Sequence, residues 1–76
     1  MGVDHDGPRP VYQQIADRLR ERIQSGELVP DRPIPSETQL MQEFGVARLT
    51  ARKAVRVLVV EGMVYVVRGR GSYVAR

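Results

Sequence analysis

Four arginines in the second half of the chain are spaced so that their side chains could bind a ligand together. Arg48 and Arg52 are four positions apart, and Arg68 and Arg70 flank Gly69. A guanidinium group donates parallel hydrogen bonds to phosphate oxygens, or to the O6 and N7 atoms of guanine. These residue types therefore favour recognition of a polyanion over bond-making chemistry.

The distribution of charge supports this interpretation. Residues 1–45 carry five arginines against eight carboxylates, a net charge of −3, whereas residues 46–76 carry seven cations against Glu61 alone, a net charge of +6. A basic half on a mildly acidic scaffold is typical of proteins that bind nucleic acid. Scattered charges usually do no more than solvate a surface, but that alternative leaves the segregation unexplained.

Other kinds of site have little support. The chain has no cysteine, and its single histidine, His5, stands between Asp4 and Asp6 near the amino terminus, where three adjacent residues make a poor metal site. It has no nucleophile–base pair and no phosphate-binding loop, so we expect no enzyme, no metal and no cofactor. No apolar run approaches the ~20 residues of a membrane span, and no signal segment opens the chain, so we expect a soluble, cytoplasmic protein with no membrane partner.

The elements that must position the arginines follow from periodicity. Seventy-six residues suffice for one small domain, which we place at residues 10–76 after a disordered lead-in over residues 1–9. Apolar residues at every fourth position from Val11 to Ile23 predict a first helix over residues 10–25, with Gly26 at its left-handed end. Prolines at positions 30, 33 and 35 then exclude helix, and Ile34 is free to pair briefly as a short strand.

Two further helices are predicted around a tight turn. Ser36 and Gln39 have the spacing of a capping box, which predicts a second helix over residues 36–44 that ends at Gly45. A third helix is predicted over residues 48–61, followed by Gly62, and its buried positions are Ala51, Ala54, Val55 and Leu58. Only residues 45–47 connect these two helices, and so short a connection requires them to cross at a steep angle.

The last residues have a two-residue period that predicts a β-hairpin. Its strands are expected over residues 63–67 and 72–75, and its tip contains Arg68, Gly69 and Arg70. Such a tip, directly after a basic helix, fits a wing that lies along DNA better than a merely flexible turn. The predicted fold class is therefore α+β, mainly α: a winged helix-turn-helix with three helices and a β-hairpin wing.

Over residues 9–75 the chain resembles the amino-terminal DNA-binding domain of the GntR family of bacterial transcription regulators. The resemblance is carried by residues 10–16, by Pro35-Ser36-Glu37, Gly45-Val46 and Glu61-Gly62, and by residues 69–74. It implies that the third helix reads the major groove and that the wing enters the adjacent minor groove. The DNA contacts so implied are Arg48, Thr50 and Arg52 from the helix, Arg68, Gly69 and Arg70 from the wing, and Ser36 and Glu37 near the backbone.

Four more residues complete the predicted interface. Lys53 lies in the second turn of the third helix. Thr38 stands where many family members have an arginine that reaches DNA. Ala47 replaces the usual serine, which removes a helix cap. Leu49 replaces a common polar residue and is expected to touch a thymine methyl group or to pack.

A pair of departures concerns the core. Met41 is larger than the alanine usual in the family, and Ala51, facing it, is smaller than the usual valine. We predict that these two side chains touch, because a larger residue opposite a smaller one conserves core volume.

Two classes of function remain open. The first is operator binding by a bacterial regulator, most often a repressor. The second is a winged helix whose third helix binds a protein, which the apolar Val57, Val59 and Val60 would favour. Four converging arginines favour DNA, and the deep, narrow major groove of double-stranded RNA excludes a helix.

The expected partners are double-stranded DNA and a second copy of the chain on a palindromic operator. A small-molecule effector is expected only through a carboxyl-terminal domain that is absent from these residues. Without that domain, we expect a monomer in the absence of DNA.

Overall fold

Three helices lead into a two-stranded antiparallel sheet in this computed structural model, which describes residues 3–76. The elements are α1 (Val11–Gln24), α2 (Glu37–Phe44), α3 (Arg48–Val60), β1 (Val64–Val67) and β2 (Gly71–Val74). Every boundary lies within one residue of its predicted position. The predicted winged helix-turn-helix is confirmed.

Local sequence signals set the ends of α2 and the beginning of α3. Ser36 Oγ accepts from the Gln39 amide at 3.1 Å, while Gln39 Oε1 accepts from the Ser36 amide at 2.8 Å, which completes the capping box. Gly45 ends α2 at a φ of 64°, a left-handed conformation that favours glycine. Ala47, the N-cap residue before α3, makes no side-chain cap hydrogen bond, so the expected loss of a cap is confirmed.

A single apolar core joins all five elements. α1 packs mainly against α3, and α2 packs against α3 as well. Val55, which was expected in the core, is only half-buried. Met41 is also half-buried and packs against the core cluster, but its direct contact with Ala51 stays a prediction. The core residues are Ile15, Ala16, Leu19, Ile34, Leu40, Phe44, Ala51, Ala54, Leu58, Val64 and Val74.

The segment before α2 pairs with the free edge of β2. The Ile34 amide donates to the Ser72 carbonyl at 2.9 Å, and the Asp31 amide donates to the Val74 carbonyl at 2.8 Å. The short pairing suggested for Ile34 is therefore present, and it ties the wing to the connection between α1 and α2.

Residues 3–9 lie against α1. The Gln14 side-chain amide donates to the carbonyls of Asp4 and Arg9 at 2.7 and 2.8 Å, and its oxygen accepts from the Asp4 amide at 2.7 Å. Val3 packs against the core. The disorder predicted for residues 1–9 stays a prediction. Residues 1 and 2 lie outside the described part of the chain. Within residues 3–76, no helix has the length and apolar character needed to cross a membrane.

Candidate nucleic-acid interface

The exposed face of α3 presents its arginines to solvent. Ala51, Ala54 and Leu58 are fully buried and turn one side of the helix toward the core. Arg48 and Arg52, one turn apart on another side, have side chains that are 52% and 58% exposed. The apolar period of α3 therefore decides which side chains a partner can reach.

Glu37, the first residue of α2, binds both of these arginines. Its Oε1 accepts from Arg48 Nη1 at 3.2 Å and from Arg52 Nη2 at 3.2 Å, and its Oε2 accepts from Arg52 Nε at 2.9 Å. Arg48 Nη2 also lies 3.5 Å from Thr38 Oγ1. The hydrogen bonds from Arg52, and then those from Arg48, hold the pKa of Glu37 below its ordinary value, so the carboxylate is ionised at neutral pH.

This geometry places Glu37 between the guanidinium groups of Arg48 and Arg52. A carboxylate is repelled by phosphate, whereas a carboxylate between two guanidinium groups holds them in place. The Ser36 hydroxyl accepts the capping hydrogen bond, and its O–H group is still able to donate. Direct contacts of Ser36 and Glu37 with DNA stay predictions.

The other candidates lie on α3 or, like Ala47, directly before it. Leu49 is 64% exposed, Ala47 is exposed and Thr50 is half-buried. Lys53 Nζ lies 5.6 Å from the centre of the Tyr12 ring of α1, within the range of a cation–π interaction. The structure thus brings Lys53 against α1.

The wing carries the second group of candidates. Val67 pairs with Gly71 at the end of the hairpin, which leaves residues 68–70 as its tip, and the Arg70 amide donates to the Val67 carbonyl at 2.9 Å. Gly69 has a φ of 78°, which a residue with a Cβ adopts only with strain. The rings of Tyr65 and Tyr73 stack with centroids 5.9 Å apart and stiffen the base of the wing.

A groove of about 1260 Å³ separates the wing from α2 and α3, and we call it the helix–wing groove. Val55, Val59, Val66 and Val67 are among its apolar lining residues. Eight of the predicted DNA-binding residues line it: Ser36, Glu37, Thr38, Arg48, Arg52, Arg68, Gly69 and Arg70. The remaining four, Ala47, Leu49, Thr50 and Lys53, do not line it.

Arg56 also lines the helix–wing groove, although it was not among the predicted contacts. It follows Arg52 by four residues, so the helical period was the signal that could have found it. Five arginines then surround the groove, and Glu37 is the single acidic residue among the lining residues. This concentration of positive charge suits a polyanion.

The valines that favoured a protein-binding function are less exposed than expected. Val57 and Val59 are half-buried and pack against the core, whereas Val60 is 81% exposed. Because two of these three valines lie partly against the core, the case for a contiguous apolar docking face formed by Val57, Val59 and Val60 is weakened.

Comparison with known sequences identifies one matching family and several relatives. The family model described as "Bacterial regulatory proteins, gntR family" matches residues 11–74. The HTH-type transcriptional repressor NagR of Bacillus subtilis is 42% identical over 76 residues, which cover 100% of this chain and 31% of NagR. The mannosyl-D-glycerate transport/metabolism system repressor MngR of Escherichia coli is 48% identical over 68 residues, which cover 90% of this chain and 28% of MngR. The chain therefore spans less than a third of these relatives' length.

Comparison with solved structures gives the same fold. The AraR DNA-binding domain in complex with operator ORX1 superposes with a TM-score of 0.91 at 40% identity, covering 99% of this chain and 95% of that one. YtrA of Sulfolobus acidocaldarius, a GntR-family transcription factor, superposes with a TM-score of 0.86 at 40% identity, covering 97% of this chain and 78% of that one.

Proposed function

Because this chain belongs to the GntR family of bacterial regulatory proteins, we propose that it docks a transcription repressor onto a specific operator. The observation that carries the proposal is the helix–wing groove, where arginines of α3 and of the wing tip surround one surface. No single element could provide that surface, because α3 supplies Arg48, Arg52 and Arg56 while the wing supplies Arg68 and Arg70.

The two elements would enter different grooves of the DNA. The major groove is about 12 Å wide and admits an α-helix, so α3 enters it with Arg48, Thr50 and Arg52 toward the base edges. The wing tip, with Arg68, Gly69 and Arg70, enters the adjacent minor groove. The sugar–phosphate backbone between them passes along the helix–wing groove, where Arg56 is placed to neutralise a phosphate.

Two copies of the chain would act on one operator. A single α3 covers too few base pairs to select a site from a genome, so the operator is a palindrome whose half-sites lie one helical turn, ~34 Å, or a multiple of it apart. A small-molecule effector would act through a carboxyl-terminal domain of the whole protein. The relatives support this division, since the chain spans less than a third of the length of NagR and MngR. The site of action would be the bacterial cytoplasm, where the operator DNA lies.

Selection of duplexes from a randomised pool by the 76-residue chain tests this function. We expect a palindromic sequence to be enriched, and we expect its binding, measured by fluorescence anisotropy at fixed salt, to be ~10³-fold tighter than binding to a scrambled duplex. The control is the same chain with both Arg48 and Arg70 replaced by alanine. A pool that remains random after repeated selection would contradict sequence-specific DNA binding.

A further inference from the structure

The contact between Glu37 and Arg52 runs along one side of the guanidinium group. Arg52 donates from Nε to one carboxylate oxygen at 2.9 Å and from Nη2 to the other at 3.2 Å. A guanidinium group has five N–H donors, and this side-on contact uses two of them. Glu37 does not contact the parallel pair of N–H donors at the far end of the group, one on Nη1 and one on Nη2. That terminal pair is the fork that fits O6 and N7 of guanine.

Arg48 makes a different contact with the same carboxylate. It donates through Nη1 to Glu37 at 3.2 Å, and its Nη2 lies 3.5 Å from Thr38 Oγ1, beyond the usual range of an N–H···O hydrogen bond. Its terminal nitrogens, rather than one side of the group, face α2. Of the two arginines, Arg52 is therefore the one whose terminal fork is both fixed and directed away from Glu37.

We propose that Glu37 is a positioning residue for base recognition, which holds Arg52 side-on so that its terminal fork meets a guanine. The inference deepens the proposed function and rests on it. In this proposal, Glu37 of α2 influences which base sequence α3 prefers. Glu37 does so through Arg52 and does not contact DNA itself.

Two physical effects make such a carboxylate act on specificity rather than on total affinity. An unpartnered arginine samples many rotamers and pays for its ordering when it binds a base, whereas a guanidinium group already fixed loses less freedom for each hydrogen bond. Phosphate oxygens also compete for the same donors, and the negative charge of Glu37 repels them. Glu37 therefore favours the guanine contact and opposes the non-specific phosphate contact.

The variant Glu37→Gln tests this role, because it keeps the size of the side chain and removes the charge and one acceptor. The matched control is Glu43→Gln, which removes an equal charge from the same helix. Glu43 binds Arg22 of α1 and does not line the helix–wing groove. The probes are the palindromic duplex selected by the wild-type chain, the same duplex with each base pair changed in turn, and a scrambled duplex.

We expect Glu37→Gln to reduce the ratio of specific to non-specific affinity at least ~5-fold, the scale of one bidentate guanine contact. The loss should be concentrated at one guanine in each half-site, while binding to the scrambled duplex stays equal or becomes tighter. Glu43→Gln should leave the ratio unchanged. Arg52→Lys, which keeps the charge but lacks the fork, should lose discrimination at the same guanine, and adding Glu37→Gln to it should cost little more.

The outcomes separate this inference from the proposed function. If the wild-type chain does not discriminate any duplex, the proposed function fails. If the wild-type chain discriminates but a folded Glu37→Gln keeps its ratio, or loses affinity evenly at every base pair, only the positioning role of Glu37 is overturned. Circular dichroism melting of both glutamine variants checks folding. Should Glu37→Gln unfold, Arg52→Lys decides the question, because unchanged discrimination at every guanine would exclude the fixed fork.

Discussion

At the scale of single residues, ionised groups of α2 and α3 are in contact. Glu37 is shared between two arginines, and the pKa of Arg52 is raised by the hydrogen bonds that it donates to that carboxylate. Both groups therefore stay charged across the physiological range, and the cluster behaves as one unit with a net positive charge. Truncating one arginine leaves the carboxylate with the other, so the effects of the two arginines are not independent.

Arg48→Ala should relax the sequence preference of the chain. Loss of a base contact is expected to weaken operator binding by ~1–3 kcal/mol and to change scrambled-duplex binding much less. Anisotropy titrations with the selected and scrambled duplexes at one salt concentration measure both. An unchanged ratio of the two affinities would mean that Arg48 does not read a base.

The dependence of stability on pH should report the ion pairs of Glu37. Its pKa is lower in the folded chain than the ordinary 4.5, because Arg52 and Arg48 bind the charged form. The resulting stabilisation is complete above that ordinary value and is lost as the pH falls through the lower, folded value. The wild type should therefore exceed Glu37→Gln in melting temperature at pH 7, and the difference should shrink in acid below pH ~4. A difference that stays constant from pH 7 to pH 3 would contradict this linkage.

At the scale of elements, different interactions hold α3 and the wing to the rest of the domain. α3 is pinned by the full burial of Ala51, Ala54 and Leu58, and its amino end lacks a capping side chain. The wing is held at its base by stacked tyrosines and by the pairing of residues 31–34 with β2. The wing tip, which projects beyond these contacts, can therefore change without disturbing the core.

Ala47→Ser should stabilise the domain. Ala47 has a φ of −71° and a ψ of 157°, the extended backbone that an N-cap residue adopts, so a serine oxygen could accept from an amide in the first turn of α3. We expect a gain of ~1 kcal/mol in the free energy of unfolding, measured by urea denaturation with an unchanged m-value. Ser36→Ala, which removes the existing cap of α2, should cost about the same amount. A serine variant no more stable than the wild type would show that the cap does not form.

Arg70→Ala in the wing tip should weaken binding to all sequences alike. A phosphate contact carries no sequence information, so the specific and scrambled duplexes should lose affinity together. The slope of log K against log salt should fall in magnitude by about one unit, as one counterion fewer is released. A loss confined to the selected duplex would instead make Arg70 a base-reading residue.

At the scale of the whole molecule, residues 3–76 form one core, and the large apolar side chains that stay exposed outside it are Val29, Leu49, Val60, Tyr65 and Val66. Val57 and Val59, two of the valines that favoured a protein interface, are half-buried against that core. Val60 remains as an exposed apolar side chain on α3, at 81% exposure. A stable dimer interface buries about 800 Å² on each partner, which Val60 by itself does not supply.

The chain should therefore be a monomer at micromolar concentration without DNA and should assemble as two copies on the symmetric operator. Sedimentation velocity of the free chain, and then of the chain with the selected duplex, measures both states. Val60→Ser is the control, since it should leave the free chain unchanged. A tight dimer without DNA that Val60→Ser disrupts would instead identify α3 as a dimer interface. Joining two chains through a dimerising domain should raise the apparent affinity ~10²–10⁴-fold, because the second binding event becomes intramolecular.

The sequence by itself determined the elements and most of the candidate site. The apolar period placed Ala51, Ala54 and Leu58 inward on α3 and thereby placed Arg48 and Arg52 outward. Capping residues and glycines set the element ends to within one residue of their positions. These features are local, because a helix period or a cap depends on residues only a few positions apart.

Only the tertiary structure decided which polar side chains of different elements are in contact. The contact of Glu37 with Arg52 spans fifteen positions, and it depends on the crossing of α2 with α3. The placement of Lys53 over Tyr12 depends in the same way on how α1 packs against α3. The periodicity of a sequence shows which face of a helix is buried, but the crossing angle and the path of the loops decide what lies opposite the other faces. For that reason the arginines and Glu37 were identified as site residues from the sequence, whereas their pairing was identified from the fold.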